Sequence, residues 1–391
     1  MAFLTERDRQ YRTPEDICAH LGDEYDKFNG AIVPPIYQST LFVQPTDING
    51  VTQTAHSYTR ASNPTVEIAE RKIAALEGGD GALCFSSGMA AISSAILHFC
   101  KSNCHVIIVT SSYGGTQSLI KGYLHDKFGI THTVVRGDST EEIESAIKPE
   151  TTLIVLESPS SMVYRLQDLE AVAVIAKKHG IGTVIDGTYG TPLHQHPLQY
   201  GIDIVCHTAS KYLAGHSDLV AGAIVANREI IQSIQNNERV LLGGSMDANQ
   251  ASLLIRGMRT MPARLKQHGE NAMKVAAFLE NHPKVAKVYY PGSATFEQPE
   301  LFRKYLSGTN GLMSIVLKGG VEAHKKLINS LHYFQNGCSW GGFESLCILI
   351  NHKEADQAFG LPASLIRMHI GLENADTLIA DLAQALDNLP E

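Results

Sequence analysis

Short, continuous apolar runs alternate with longer amphipathic stretches through the middle of the chain. Residues 82–85, 105–109, 131–135, 152–156, 183–185 and 203–206 read as strands with no polar face. Between them, 89–99, 116–127, 139–147 and 167–179 repeat apolar positions at helical spacing. Strands buried on both faces and alternating with helices predict a mostly parallel sheet covered on each side by helices. A long helical region follows over 246–282, broken at Pro262. Beyond it, strands near 285–289 and 311–317 and helices near 321–330 and 375–388 predict a smaller α+β domain. Residues 1–55 carry little period, and Pro34-Pro35 holds the chain extended there. The expected organisation is an N-terminal arm at 1–55 that partly contacts a neighbouring subunit, an α/β domain at 56–255 and a C-terminal domain at 256–391.

Composition narrows the classes. Charged residues make up only 18 % of the chain against 44 % hydrophobic, which points to much buried surface, some of it between subunits. A formal charge of −8 argues against nucleic-acid or anionic-membrane partners. The stretch from Met1 to Arg9 lacks the apolar core of a signal peptide, and no run is long enough to span a bilayer, so a cytoplasmic protein is expected. The seven cysteines are odd in number and scattered, with only Cys100 and Cys104 close, which fits reduced thiols. No Cys/His cluster completes a metal site, and no metal is expected.

The chemistry lies where the apolar runs stop. Asp186 ends the run from Gly182, and Lys211 follows the next strand in His207-Thr208-Ala209-Ser210-Lys211-Tyr212. Pyridoxal phosphate requires this pairing: a lysine amine for covalent attachment, and a carboxylate that keeps the pyridine nitrogen protonated so that the ring withdraws electrons. Ser86-Ser87-Gly88-Met89 follows a strand and opens a helix, so its backbone N–H groups suit a phosphate as readily as an ordinary N-cap. Thr208 and Ser210 add hydroxyls, and Gly215-His216-Ser217-Asp218 forms a tight turn. Tyr113 could stack on an aromatic ring or simply pack. Tyr58-Thr59-Arg60 offers a guanidinium suited to bidentate phosphate binding, and Arg367 interrupts an apolar strand where an α-carboxylate or a structural partner must meet it.

Taken in order, these motifs resemble one family. Pro34-Pro35-Ile36, Tyr58-Thr59-Arg60, Asn63-Pro64-Thr65, Ser86 to Ala90, Tyr113-Gly114, Glu157-Ser158-Pro159, Asp186, Ser210-Lys211-Tyr212, Gly215 to Asp218 and Glu373 cover nearly the whole chain. They are similar to the transsulfuration (Cys/Met metabolism) family of fold-type I pyridoxal phosphate enzymes. The resemblance implies the PLP-dependent transferase-like fold, a homotetramer of active-site-sharing dimers and a sulfur amino-acid substrate. It assigns Lys211 and Tyr113 to catalysis. It assigns Tyr58 and Arg60 (from a neighbouring subunit), Gly88, Met89, Tyr113, Asp186, Thr208, Ser210 and Lys211 to the cofactor. Ser339, Arg367, Trp340 and Cys338 fall to the substrate.

Within the family, Ser339-Trp340-Gly341-Gly342-Phe343-Glu344-Ser345 looks like bacterial cystathionine β-lyases, since most relatives carry Leu after the Ser. Leu365 to Glu373 looks similar to the same group. The expected reaction is therefore α,β-elimination of L-cystathionine, and of cystine or related thioethers, to a thiol, pyruvate and ammonia. The alternatives are a cystathionine or methionine γ-lyase, a γ-replacing transferase of the cystathionine γ-synthase type, or a cofactor-binding protein without lyase activity. Gly115 stands where methionine γ-lyases usually carry Cys. Cys338 stands where γ-lyases carry Glu and β-lyases Tyr. Gly187 and Ser161 replace the usual Asn residues, and the cofactor site is expected to tolerate both.

Overall fold

The computed structural model describes residues 3–47, 50 and 55–389. Seven strands form the larger sheet: β1 (Gly81–Phe85), β2 (His105–Val109), β3 (Thr131–Val135), β4 (Thr151–Glu157), β5 (Gly182–Asp186), β6 (Ile204–His207) and β7 (Gly222–Ala226), in the order β1-β7-β6-β5-β4-β2-β3. β2 to β6 run parallel, and β7 lies antiparallel between β1 and β6. Ile107, Ile154, Ile185 and Val205 fill one face of this sheet, and Val106, Ile108, Leu153 and Ile204 the other, all essentially inaccessible to solvent. Each such side chain contributes about 1.5–3 kcal/mol on removal from water, so the central strands fix the sheet and leave chemistry to their ends.

The apolar runs predicted the six strands β1 to β6 to within a residue or so. β7 was not foreseen. Its sequence, Gly-Ala-Ile-Val-Ala, is mostly small, and Gly222 is required where it passes the start of the helix that follows β1: a Cβ there would lie 2.2 Å from Ser87 O. The segment 116–127 is helical as expected but widens to a π-helix over Leu119–Leu124. A helix α1 (Pro14–His20), capped by Thr13, interrupts the expected arm, and Ile17, Cys18 and Leu21 join the core. A second unforeseen helix, α2 (Pro64–Glu77), starts on the Asn63 cap with Pro64 in its first turn and ends at Gly78 (φ 78°).

Pro262 lies in the first turn of the helix Met261–Glu280, directly after the helix Ala248–Arg259. The smaller sheet comprises β8 (Val285–Tyr289), β9 (Leu312–Leu317), β10 (Gln335–Asn336), β11 (Leu346–Asn351) and β12 (Ser364–His369), ordered β10-β11-β12-β9-β8. The helices Gly320–Ser330 and Ala375–Asp387 pack on it around Leu327, Phe334, Ile366 and Leu382. All seven cysteines are free thiols. Among the described residues, no helix is long and apolar enough to cross a membrane and no group of side chains has the arrangement of a metal site.

Candidate active site

Three adjacent parallel strands end together. Glu157 closes β4, Asp186 closes β5, His207 closes β6, and Glu157 and Asp186 stand in register. Ligands of open α/β sheets gather beyond such carboxyl ends. The His207 ring is fixed by Glu77 of α2 at 2.8 Å, so the strand end is tied to the layer beneath.

After β6 the backbone turns tightly, with Lys211 N–H donating to Thr208 O and Gly215 N–H to Lys211 O. The turn projects Lys211 toward the smaller domain. Its Nζ donates to Ser339 Oγ at 2.9 Å and lies 5.5 Å from the centre of the Trp340 ring. Burial, and then the charge of Arg367, hold the amine below the ordinary lysine range, against the opposing pull of Cys338, Asp186 and Glu344. A lysine so placed reaches its neutral, proton-accepting form at lower pH than one in water.

Asp186 is held by Thr188, whose backbone N–H and hydroxyl both donate to Oδ1. Burial pushes this carboxyl up, and the Thr188 bonds and the charges of His207 and Lys211 oppose the rise. Glu157 is pushed up more plainly, by burial first and then by Asp186. Its oxygens accept from Tyr113 N–H at 2.6 Å and from Ser161 Oγ. Glu157 thereby fixes the backbone of Tyr113, whose ring is half-exposed at the mouth of the site.

The helix α3 (Gly88–Phe99) begins at the same place. Ser87 caps it by accepting from Ala90 N–H, leaving the Gly88 and Met89 N–H groups in the unpaired first turn. Thr208 crosses this turn closely: a Cβ on Gly88 would lie 2.3 Å from its Oγ1. The Ser210 hydroxyl is engaged with the Ala221 backbone, accepting from N–H at 2.9 Å and donating to O at 3.2 Å. Gly88, Met89, Tyr113, Thr208, Ser210, Lys211 and Ser339 share one cavity of about 620 Å³.

Arg367, on β12, reaches the same region. Its Nη2 donates to Cys338 O at 2.6 Å and to Ser339 O at 3.5 Å, and among the described residues no carboxylate pairs with it. Burial holds its pKa below the ordinary value. The structural ion pair weighed for this residue is therefore absent from the described chain, and the guanidinium meets carbonyls instead. The Cys338 thiol is exposed, and Trp340 packs on Tyr212 with ring centres 5.6 Å apart.

Tyr58 and Arg60 do not join this group within one chain. They line a separate cavity of about 410 Å³ with Tyr37, Ser245 and Asn249. Arg60 lies 5.4 Å over the Tyr58 ring and donates to Val240 O. Their loop is anchored at Ala61 O by Arg239 and Gln235, and Arg239 is itself paired with the buried Glu70 at 3.1 Å.

The cavity fits pyridoxal phosphate by its donor set. The start of α3 with Thr208 offers donors to a dianion. The partly buried Asp186 keeps Oδ2 free of the Thr188 bonds, available to a pyridinium nitrogen, and the Lys211 amine lies in the same cavity as the α3 start. Sequence reasoning left Glu157 and Thr188 without roles and met Ser161 only as a departure from the family's Asn. Glu157 alone carried a signal, a carboxylate ending an apolar strand beside another that ends in Asp186.

This geometry defines a fold-type I site for pyridoxal phosphate. Residues 15–387 match the profile of the Cys/Met metabolism PLP-dependent enzymes, and the chain belongs to that family. It is 39 % identical over 374 residues to the L-methionine gamma-lyase of Porphyromonas gingivalis, covering 92 % of this chain and 94 % of the relative. It is 37 % identical over 384 residues to the cystathionine gamma-lyase of Bacillus subtilis, covering 95 % and 99 %. The crystal structure of metB from Corynebacterium glutamicum superimposes with a TM-score of 0.91 at 34 % identity, covering 98 % of this chain and all of that one. The protein is thus a pyridoxal-phosphate-dependent enzyme of the sulfur amino-acid lyase group. The β-lyase expectation drawn from the Trp340 segment is not what these relatives carry: both named lyases are γ-lyases.

Proposed function

We propose that this enzyme cleaves carbon–sulfur bonds of L-sulfur amino acids by α,γ-elimination, releasing a thiol, 2-oxobutyrate and ammonia. The observation that carries the lyase reading is the Lys211 amine, shifted toward its neutral form and held 2.9 Å from Ser339 Oγ in the cavity that also contains the α3 start. Similarity over more than nine-tenths of the chain to two γ-lyases supports Cγ over Cβ as the site of cleavage.

Gly88, Met89, Thr208 and Ser210 would hold the phosphate of the cofactor, Asp186 its ring nitrogen, Tyr113 its ring face and Lys211 its aldehyde carbon. Tyr58 and Arg60 would complete the phosphate site from a neighbouring subunit, in a homotetramer built of dimers. When bound, pyridoxal phosphate supplies the electron sink for a negative charge at Cα. Arg367 and Ser339 grip the substrate carboxylate, Arg367 exchanging a carbonyl for a carboxylate. The freed Lys211 amine would take the Cα proton and, once it has given that proton up and is neutral again, its four-carbon stem would let the same nitrogen reach Cβ for the second proton that γ-elimination requires. Tyr113, half-exposed beside the cavity, would give a proton to the departing sulfur.

A second reading, α,β-elimination to pyruvate, is favoured by Trp340 after Ser339. Incubation with L-cystathionine and with L-methionine separates the two. The proposal expects 2-oxobutyrate from both; pyruvate with homocysteine from cystathionine would establish the β reading instead, and no keto acid at all would refute lyase activity.

A further inference from the structure

The segment 338–342 carries Ser339 and Trp340 across the Lys211 turn as a strap, and β12 lies behind it. Strand geometry places Arg367 and His369 on the same face of β12. Arg367 holds the start of the strap through Cys338 O. His369 meets its middle: Nε2 lies 3.1 Å from Gly341 N and 3.1 Å from Gly342 O. His369 is almost wholly buried, as is His268 behind it, with ring centres 5.0 Å apart. Both rings and Trp340 surround Tyr212, the residue after Lys211.

The hydrogen bonds fix the His268 tautomer. His268 Nδ1 lies 2.9 Å from Ile370 O, a carbonyl that can only accept, so Nδ1 bears the proton and Nε2 is an acceptor. His268 Nε2 and His369 Nδ1 are the nitrogens of the two rings that lack a partner. His369 Nε2 serves the strap in either neutral form: unprotonated it accepts from Gly341 N–H, and protonated it donates to Gly342 O. Both bonds run to the strap backbone, so the imidazole holds it whichever form it takes.

Gly341 makes the contact tight. It sits at φ 83°, and a Cβ on it would lie 2.8 Å from Tyr212 N and 2.9 Å from Lys211 C. The strap therefore rests on the backbone of the lysine itself, with no side chain between.

We infer that His369 is a positioning residue for the reaction: as a buried imidazole whose Nε2 bonds the Gly341-Gly342 backbone, it clamps the strap so that Ser339 and Trp340 stand over Lys211. The inference rests on the lyase reading only for its effect on catalysis; the clamp itself is a property of the chain. Trp340 is the single tryptophan, so tryptophan emission, excited beyond the absorption of the tyrosines, reports on the strap alone.

The test compares full-length wild type, His369→Leu and His369→Gln, each with and without pyridoxal phosphate. In Gln, the terminal amide reaches where Nε2 stood and can accept from Gly341 N–H or donate to Gly342 O; Leu can do neither. For Leu we expect red-shifted Trp340 emission and stronger acrylamide quenching in both states. We also expect KM for the amino acid to rise by about 2- to 10-fold, the worth of one neutral hydrogen bond, with kcat changed less. Gln is expected to restore emission, quenching and KM. A folded Leu variant with wild-type emission and quenching would overturn the clamp. Should Leu fail to fold, His369→Asn takes its place, since its amide reaches only the Nδ1 position; identical emission from Asn and Gln would likewise overturn it. If wild type cleaves no sulfur amino acid, the lyase reading falls while the fluorescence still decides the clamp.

Discussion

Adding one methyl group at Gly88 should damage the cofactor site more than its size implies. An ideal Cβ at this position lies 2.3 Å from Thr208 Oγ1, 2.9 Å from its Cβ and 2.9 Å from its Cγ2. Rotating the threonine cannot clear the clash, because every side-chain atom beyond Cα is too near. The Thr208 backbone must retreat instead, and its N–H donates to Thr188 Oγ1 at 2.8 Å, which donates in turn to Asp186 Oδ1. The disturbance therefore runs from the phosphate end of the cavity to the ring-nitrogen end. Overpacking of this kind costs about 1–3 kcal/mol, equivalent to roughly 5- to 150-fold in an equilibrium constant. Gly88 does not have a positive φ, so alanine brings no backbone strain and the steric effect stands alone.

The assay is titration of apo-protein with pyridoxal phosphate, followed by quenching of Trp340, together with thermal unfolding of the apo-form. Gly122→Ala is the control: its added Cβ meets nothing within 4 Å. We expect Gly88→Ala to bind the cofactor at least several-fold more weakly or to melt earlier, and Gly122→Ala to do neither. If the two variants share wild-type affinity and melting temperature, close packing of Thr208 on the α3 start is not what shapes the cradle.

Lys211→Ala should lower keto-acid formation by roughly 10²–10⁴-fold, the usual worth of a positioned general base, and abolish the absorbance of covalently held cofactor; retained turnover would overturn its assignment. Arg60→Ala should weaken cofactor binding by about 10- to 100-fold, the loss of charge-assisted hydrogen bonds to phosphate, in equilibrium dialysis; unchanged affinity would rule out the cross-subunit clamp. Glu157→Gln should alter how apo-protein stability depends on pH. The Glu157 pKa is raised in the fold, so the native state binds the extra proton and loses stability as pH rises from the ordinary carboxylate range through the folded pKa. Glutamine, which has no proton to lose, should flatten that decline in denaturant titrations across the window, and an unchanged slope would refute the shift.

Legibility in the sequence followed locality. The central strands were readable because burial on both faces makes them continuously apolar, which needs no knowledge of neighbours. β7 was not, because small residues carry little apolar signal and its place between β1 and β6 is set by close backbone approach at Gly222. α2 had its punctuation in plain view, Asn63-Pro64 before it and Gly78 after it, and the motif reading of Asn63-Pro64-Thr65 obscured it. In the site, residues at strand ends and helix starts were legible from position alone. Glu157, Thr188 and His369 were not, since their parts depend on which strand lies beside which and at what register. The separation of Tyr58 and Arg60 from the Lys211 cavity was foreseen only through the family resemblance.

The choice of bond to break cannot lie with the groups that move protons. On the proposed assignments, Lys211 would serve Cα in either reaction, and Asp186 and Thr208 would serve the cofactor in either. What differs is whether Cβ presents a second proton to the same amine before the sulfur leaves, and that depends on how the substrate side chain lies over Lys211. Ser339 and Trp340 form the wall on that side, with the exposed Cys338 preceding them in the chain. On the proposed reading, the choice of bond is therefore made at this wall, by residues that hold the substrate side chain and not by those that take its protons.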